Sequence, residues 1–258
     1  MHSVNTILQE GSNMSDCCTK GFKWDGEPKG HEMTLSDNAA YVTGSNSEVA
    51  ILVIHDLFGW TFPNIRLLAD AYAEEADATV YVPDFFGGEV LASDILCKDP
   101  SEWGPLDLAS MTARNSKVIR EPEIFACAKA LRAQYKHIAA IGFCYGGWAV
   151  FRLGAKANNG LVDCISTAHP SWLTKEEIQE VGVPVQILAP EIDPVFSPEL
   201  KEFSNRVIPS LGVDYDYQYF RGLEHAFAVR GNRANQAEMK GLERAKNAAV
   251  YWFKQWLH

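Results

Sequence analysis

A chain of 258 residues with 47% hydrophobic and 22% charged positions can bury one large core without disulfide or metal staples. Its formal net charge of −10 repels phosphate backbones and anionic lipid, which argues against nucleic-acid and membrane partners and leaves small molecules. Six cysteines with no CxxC pair exclude a disulfide scaffold and, despite adjacent Cys17 and Cys18, argue against a zinc site; free thiols suit a reducing cytoplasm.

Residues 1–16 include Asn5, Glu10, Asn13 and Asp16 and lack the basic start and apolar stretch of a secretory signal. They are expected to form a flexible extension, with residues 17–258 as a single domain. No run approaches the ~18 apolar residues of a membrane span. The first clear strand is 49–54, Val-Ala-Ile-Leu-Val-Ile, a near-continuous apolar run suited to burial on both faces. A helix is predicted over 64–75, where Ile65, Leu68, Tyr72 and Ala76 recur at spacings of three or four. A strand follows at 79–82, stopped by Pro83. Residues 87–110, with Pro100, Trp103 and Pro105, read as a loop or cap. Then come a strand at 138–143, a helix over 147–156, and strands at 164–168, 185–189 and 214–220. A long helix from Ala234 closes the chain. Strand and helix alternate, the pattern of an α/β fold with a mostly parallel sheet covered by helices on both faces. Reactive groups in such sheets gather at the carboxyl ends of the strands.

Gly142-Phe143-Cys144-Tyr145-Gly146-Gly147 follows an apolar strand and opens a helix. It has the form of a nucleophile elbow, with cysteine where serine usually stands. The helix amino terminus favours a thiolate at Cys144, and the Tyr145 N–H is placed to bind the oxyanion formed on attack. His225, in the loop after the last strand, is the candidate general base. Asp193, after strand 185–189, is the candidate partner for its second ring nitrogen, with Glu191 as a rival. The chain order nucleophile, acid, histidine is that of α/β-hydrolases. The loop His55-Asp56-Leu57-Phe58-Gly59-Trp60 supplies the Leu57 N–H as second oxyanion donor. Asp56 falls close to Cys144, where its charge opposes thiolate formation; His55 reads as structural. Singly, each residue has a plainer reading: Cys144 as a small buried residue, His225 as a surface histidine, Asp193 and Asp56 as turn residues. Three of them in the right order at three strand ends do not.

These motifs resemble the dienelactone hydrolase (carboxymethylenebutenolidase) family, from about Gly21 to Leu257. The marks are Ile54-His55-Asp56-Leu57-Phe58-Gly59, Val82-Pro83-Asp84-Phe85-Phe86-Gly87-Gly88-Glu89, the cysteine elbow, and Glu224-His225-Ala226-Phe227-Ala228-Val229-Arg230-Gly231. The opening stretch, from Cys18 to Val42, is similar to the eukaryotic, fungal branch. The resemblance implies an α/β-hydrolase fold and a Cys-His-Asp triad of Cys144, His225 and Asp193, with Leu57 and Tyr145 as oxyanion amides and no metal or organic cofactor. Asp56 stands where bacterial members carry a glutamate that holds the resting thiol. Those members bind a substrate carboxylate with two arginines. Here the Phe85–Glu89 segment has none, and Val229 holds the second position with Arg230 adjacent, a residue that also reads as a surface charge. Aromatic Trp60, Phe85, Phe86 and Tyr145 then point to a larger or more apolar acyl group. The expected activity is hydrolysis of a small ester or lactone through a thioester, by a monomer or homodimer in the cytoplasm. Two alternatives stand beside it: acyl transfer or lactone or ring rearrangement in secondary metabolism with the same triad, and a non-catalytic scaffold.

Overall fold

The computed structural model describes residues 21–91 and 108–258. Cys17, Cys18, Cys97, the expected extension over 1–16 and most of the expected cap over 87–110 lie outside them. Among the described residues eight strands form one sheet: β1 (His31–Leu35), β2 (Asn38–Thr43), β3 (Val49–Ile54), β4 (Thr79–Pro83), β5 (His137–Phe143), β6 (Cys164–Ala168), β7 (Val185–Ile192) and β8 (Tyr215–Glu224). Their order across the sheet is β1-β2-β4-β3-β5-β6-β7-β8. β1 and β2 run antiparallel to their neighbours, and β4 through β8 pair in parallel. Successive side chains of a strand point to opposite faces. Accordingly Ala50, Leu52 and Ile54 of β3 join one core cluster, while Val49, Ile51 and Val53 join the other. This two-faced burial is why β3 reads as an unbroken apolar run.

The helices are α1 (Pro63–Glu75), α2 (Leu108–Arg114), α3 (Lys117–Arg132), α4 (Gly146–Leu153), α5 (Lys175–Glu180), α6 (Pro198–Val207), α7 (Phe227–Arg230) and α8 (Gln236–Leu257). α4 is shorter than the expected 147–156 helix; Gly154 ends it, and a separate 3-10 turn covers Lys156–Asn158. α8 begins after Asn235, whose side chain accepts from the amides of Ala237 and Glu238, a standard amino-terminal cap. Among the described residues no helix is long and apolar enough to cross a membrane.

Beyond the expected elements lie the helices α2, α5, α6 and α7 and three further features. The β1–β2 hairpin has mostly exposed residues in β1, so no apolar run marks it. α3 carries Pro122 in its interior, a helix-disfavouring residue, and no element was expected there. β7 and β8 run further than 189 and 220 because their parallel pairing continues to Ile192 and Glu224 across an irregularity between Pro190 and Ile192. That extension positions two candidate site residues: Asp193 and His225 each follow directly on a paired strand end, and the His225 amide donates to the Ile192 carbonyl at 3.1 Å.

Candidate active site

Cys144 sits between β5 and α4 in a left-handed backbone conformation, φ 48°, which a non-glycine residue adopts only under constraint. The flanking glycines follow from the tightness of this turn. A Cβ on Gly142 would come within 2.1 Å of the Gly146 carbonyl oxygen, and one on Gly146 within 2.2 Å of the Ile54 carbonyl oxygen. Cys144 is fully buried. Its amide donates to the Ala168 carbonyl at 3.3 Å, and its own carbonyl accepts from Gly147 at 2.9 Å and Ser171 at 2.7 Å.

Asp193 is fixed by its own backbone: Oδ1 accepts from the amides of Val195 and Phe196, each at 2.9 Å. Oδ2 is thereby aimed at Nδ1 of His225, 2.9 Å away, with both side chains sealed from solvent. Glu191 turns elsewhere; it is exposed and accepts from the Gly222 amide at 2.6 Å. With Nδ1 engaged by Asp193, Nε2 of His225 is the nitrogen left for sulfur chemistry. Burial opposes a charge on this ring. The Cys144 sulfur, by charge and by hydrogen bond, together with the Asp193 carboxylate, outweighs burial and raises the His225 pKa to about 10. The arrangement favours an imidazolium beside a thiolate.

Leu57 follows β3 across the crevice, nearly fully buried, and among the described residues its amide has no hydrogen-bond partner. Tyr145 follows Cys144 directly. Its ring meets Phe86, Trp148 and Trp172 at 4.9, 5.8 and 5.2 Å between centroids, and its hydroxyl donates to the Asn115 carbonyl at 2.9 Å.

Asp56 and Arg230 meet each other. Oδ2 of Asp56 accepts from Arg230 Nε at 2.7 Å, and Oδ1 accepts from the Phe58 amide at 3.0 Å. Burial raises the Asp56 pKa, Arg230 pulls it back, and the nearby Cys144 sulfur raises it further. Arg230 is 1% exposed, with its guanidinium 4.7 Å from the centre of the Phe58 ring, so it is not a surface charge. His55 is structural: Nδ1 donates to the Asp56 carbonyl at 2.8 Å and Nε2 accepts from the Phe85 amide at 3.1 Å. Phe85 is fully buried behind it; Phe86, not Phe85, makes the ring contact with Tyr145. Trp60 lies under the Arg66 guanidinium at 4.8 Å.

Two residues near the elbow escaped the sequence reading. Ser171 Oγ is 3.2 Å from Cys144 Sγ. The His169 ring packs against His225 with centroids 4.9 Å apart, and both its nitrogens are buried without hydrogen-bond partners among the described residues. Both belong to the loop after β6, and that strand's carboxyl end faces the same crevice, which is the signal that could have found them. A cavity of about 260 Å³ reaches His225 and Arg230 past Phe22 and Phe227. A larger one of about 540 Å³ lies between α1 and α8 and touches none of the triad candidates; size alone does not locate the site.

The sequence model of the dienelactone hydrolase family matches residues 38–257. The chain is 28% identical over 248 residues to Hydrolase tropI of Talaromyces stipitatus, covering 93% of this chain and 96% of that protein. It is likewise 28% identical over 249 residues to the human carboxymethylenebutenolidase homolog, with the same coverage. Among solved structures, the dienelactone hydrolase of Anabaena variabilis superposes with a TM-score of 0.63 at 12% identity, over 90% of this chain and 99% of that one, a likeness of fold. With the turn at Cys144, the mostly parallel sheet and the family match in agreement, the chain belongs to the dienelactone hydrolase family and is an ester or lactone hydrolase of α/β-hydrolase fold.

Proposed function

We propose that the protein cleaves a small ester or lactone through a thioester on Cys144, with His225 as acid and base and Asp193 as its orienting partner. The observation that carries this reading is the buried line from Asp193 through His225 to the sulfur. The Cys144 thiolate attacks the substrate carbonyl, and the N–H groups of Leu57 and Tyr145 receive the oxyanion. The imidazolium of His225 gives its proton to the departing alkoxide oxygen as the C–O bond breaks. His225, now neutral, takes a proton from water, and the resulting hydroxide adds to the thioester carbonyl. Collapse of that adduct breaks the C–S bond, releases the acid and restores the thiolate–imidazolium pair.

The acyl group is inferred to be uncharged. Arg230 is already matched by Asp56 inside the fold, and Phe85–Glu89 carries no arginine. A carboxylate-bearing acyl chain therefore finds no unmatched positive side chain among these residues.

Three measurements test the reading. Cys144→Ala should abolish ester cleavage, as should iodoacetamide once mass spectrometry shows Cys144 modified; full activity after stoichiometric modification there defeats the nucleophile assignment. Hydrolysis in isotopically labelled water should place the label in the released acid, whereas acyl transfer or ring rearrangement leaves the product unlabelled. Paired substrates differing only in a carboxylate on the acyl chain should be cleaved faster in the neutral form; a clear preference for the anionic ester refutes the substrate inference.

A further inference from the structure

The loop after β6 reads His169-Pro170-Ser171-Trp172, and it is held against the nucleophile from several sides. The Ser171 amide donates to the Cys144 carbonyl at 2.7 Å, and Lys117 Nζ donates to the Trp172 carbonyl at 2.7 Å. Pro170 lies close against Gly147, where an added Cβ would come within 2.3 Å of the proline Cβ. The residues flanking Pro170 and Ser171, His169 and Trp172, both adopt the left-handed conformation, φ 42° and 59°. Non-glycine residues keep that conformation where the surroundings enforce it, often beside active sites. The outcome is a serine hydroxyl placed 3.2 Å from Cys144 Sγ, with Ser171 1% exposed and Cys144 fully buried.

We propose that Ser171 is a further catalytic residue whose hydroxyl donates a hydrogen bond to the Cys144 sulfur and stabilises the thiolate. The proposal rests on Cys144 being the nucleophile. A serine hydroxyl has one proton to donate, and a thiolate has none. Once the sulfur is ionised, the bond across 3.2 Å therefore runs from Oγ–H to sulfur. A hydrogen bond to the charged form favours that form, so Ser171 offsets the opposing charge of Asp56. It acts twice in each turnover. Before attack it holds the sulfur charged and in place; when the second tetrahedral adduct collapses, its O–H again meets the departing thiolate. No proton leaves Ser171 in either step.

Ser171→Ala removes one buried oxygen and leaves the backbone bonds of the loop intact, and circular dichroism checks that the fold survives. The rate of Cys144 alkylation by iodoacetamide is then followed against pH. The acidic limb should move up by about one pH unit, the size expected for losing one hydrogen bond to a charged group. In parallel, kcat/KM for an ester near neutral pH should fall about tenfold, mostly through kcat, the same loss read as a rate. Ser171→Thr, which keeps the hydroxyl, should return the limb toward its original position. An alkylation profile for Ser171→Ala superimposable on that of the wild type overturns the proposal, whatever happens to turnover. Wild-type enzyme that keeps full ester cleavage with Cys144 alkylated overturns the nucleophile reading instead, so the two failures are distinct.

Discussion

Arg230 Nε and Asp56 Oδ2 lie 2.7 Å apart with both side chains wholly excluded from solvent, across a sequence separation of 174 residues. This pair joins the loop after β3 to α7, the short helix that follows His225, and so ties the loop carrying Leu57 to the segment carrying His225. Burial raises the Asp56 pKa and the nearby Cys144 sulfur raises it further, so the pair is coupled to the proposed nucleophile.

Breaking such a pair from one side leaves an uncompensated charge in the interior. Arg230→Met should lower unfolding free energy by about 3–5 kcal/mol, read as a shift in the denaturant midpoint. Removing both charges, in Arg230→Met with Asp56→Leu, should recover a large part of that loss, because the desolvation cost of the remaining charge disappears. A double variant as unstable as the sum of two single ones would show that packing rather than charge pairing holds these arms together.

The His225 pKa, raised from 6.5 to about 10, carries a stability consequence of definite sign. A group that binds its proton more tightly in the fold stabilises it fully below the unfolded pKa, and the contribution is lost as pH climbs through the folded value. Unfolding free energy should therefore fall between pH 6.5 and about 10, and the slope should flatten in His225→Gln. Kinetics should divide over the same window. Ester cleavage needs the imidazolium proton and should decline toward the upper value, while Cys144 alkylation needs only the thiolate and should not. Equal alkaline losses in both would remove His225 from the role of acid.

Asp193→Asn tests the orienting role with little structural disturbance. Oδ1 still accepts from Val195 and Phe196, so the loop should keep its shape. The amide nitrogen, if it replaces Oδ2, cannot accept from Nδ1 and presents a donor to it, favouring the wrong tautomer. Turnover should drop by roughly 10⁴-fold, the size seen when a triad acid is replaced by its amide with geometry intact. Thermal melting should change little by comparison, and a large loss of stability with modest loss of rate would reverse the assignment.

How much of this was legible beforehand depends on what each feature asks of the residues around it. β3 and β5 are buried on both faces, so their runs are unbroken and visible. The elbow is visible because its tight turn excludes side chains at Gly142 and Gly146. The ends of β7 and β8 lie beyond the apolar runs at 185–189 and 214–220 because paired positions there are partly exposed and carry no apolar signature. α3 hides behind Pro122 and a buried face of Ile124, Cys127, Ala128 and Leu131 alone. The pairing of Asp56 with Arg230 has no local signature, since each side chain finds its partner only after the sheet has formed. The same holds for Ser171, an ordinary loop hydroxyl until β5 and β6 pair side by side.

The elbow glycines give the sharpest structural prediction. An alanine methyl at Gly142 meets backbone, the Gly146 carbonyl oxygen at 2.1 Å, and neither strand β5 nor helix α4 can retreat without moving Cys144. Gly142→Ala should cost about 1–3 kcal/mol or more in stability, as overpacking does, and it should also displace the sulfur from His225. A displacement of about 1 Å at a reacting group can cost a hundredfold in rate, so kcat should fall by more than the stability loss explains. Gly160→Ala is the control: that glycine, unlike Gly142, has a positive φ, and there is open space around its Cβ position, so backbone strain there should lower stability without touching turnover. If Gly142→Ala instead kept full kcat in the folded fraction, the elbow would not be what positions the thiol.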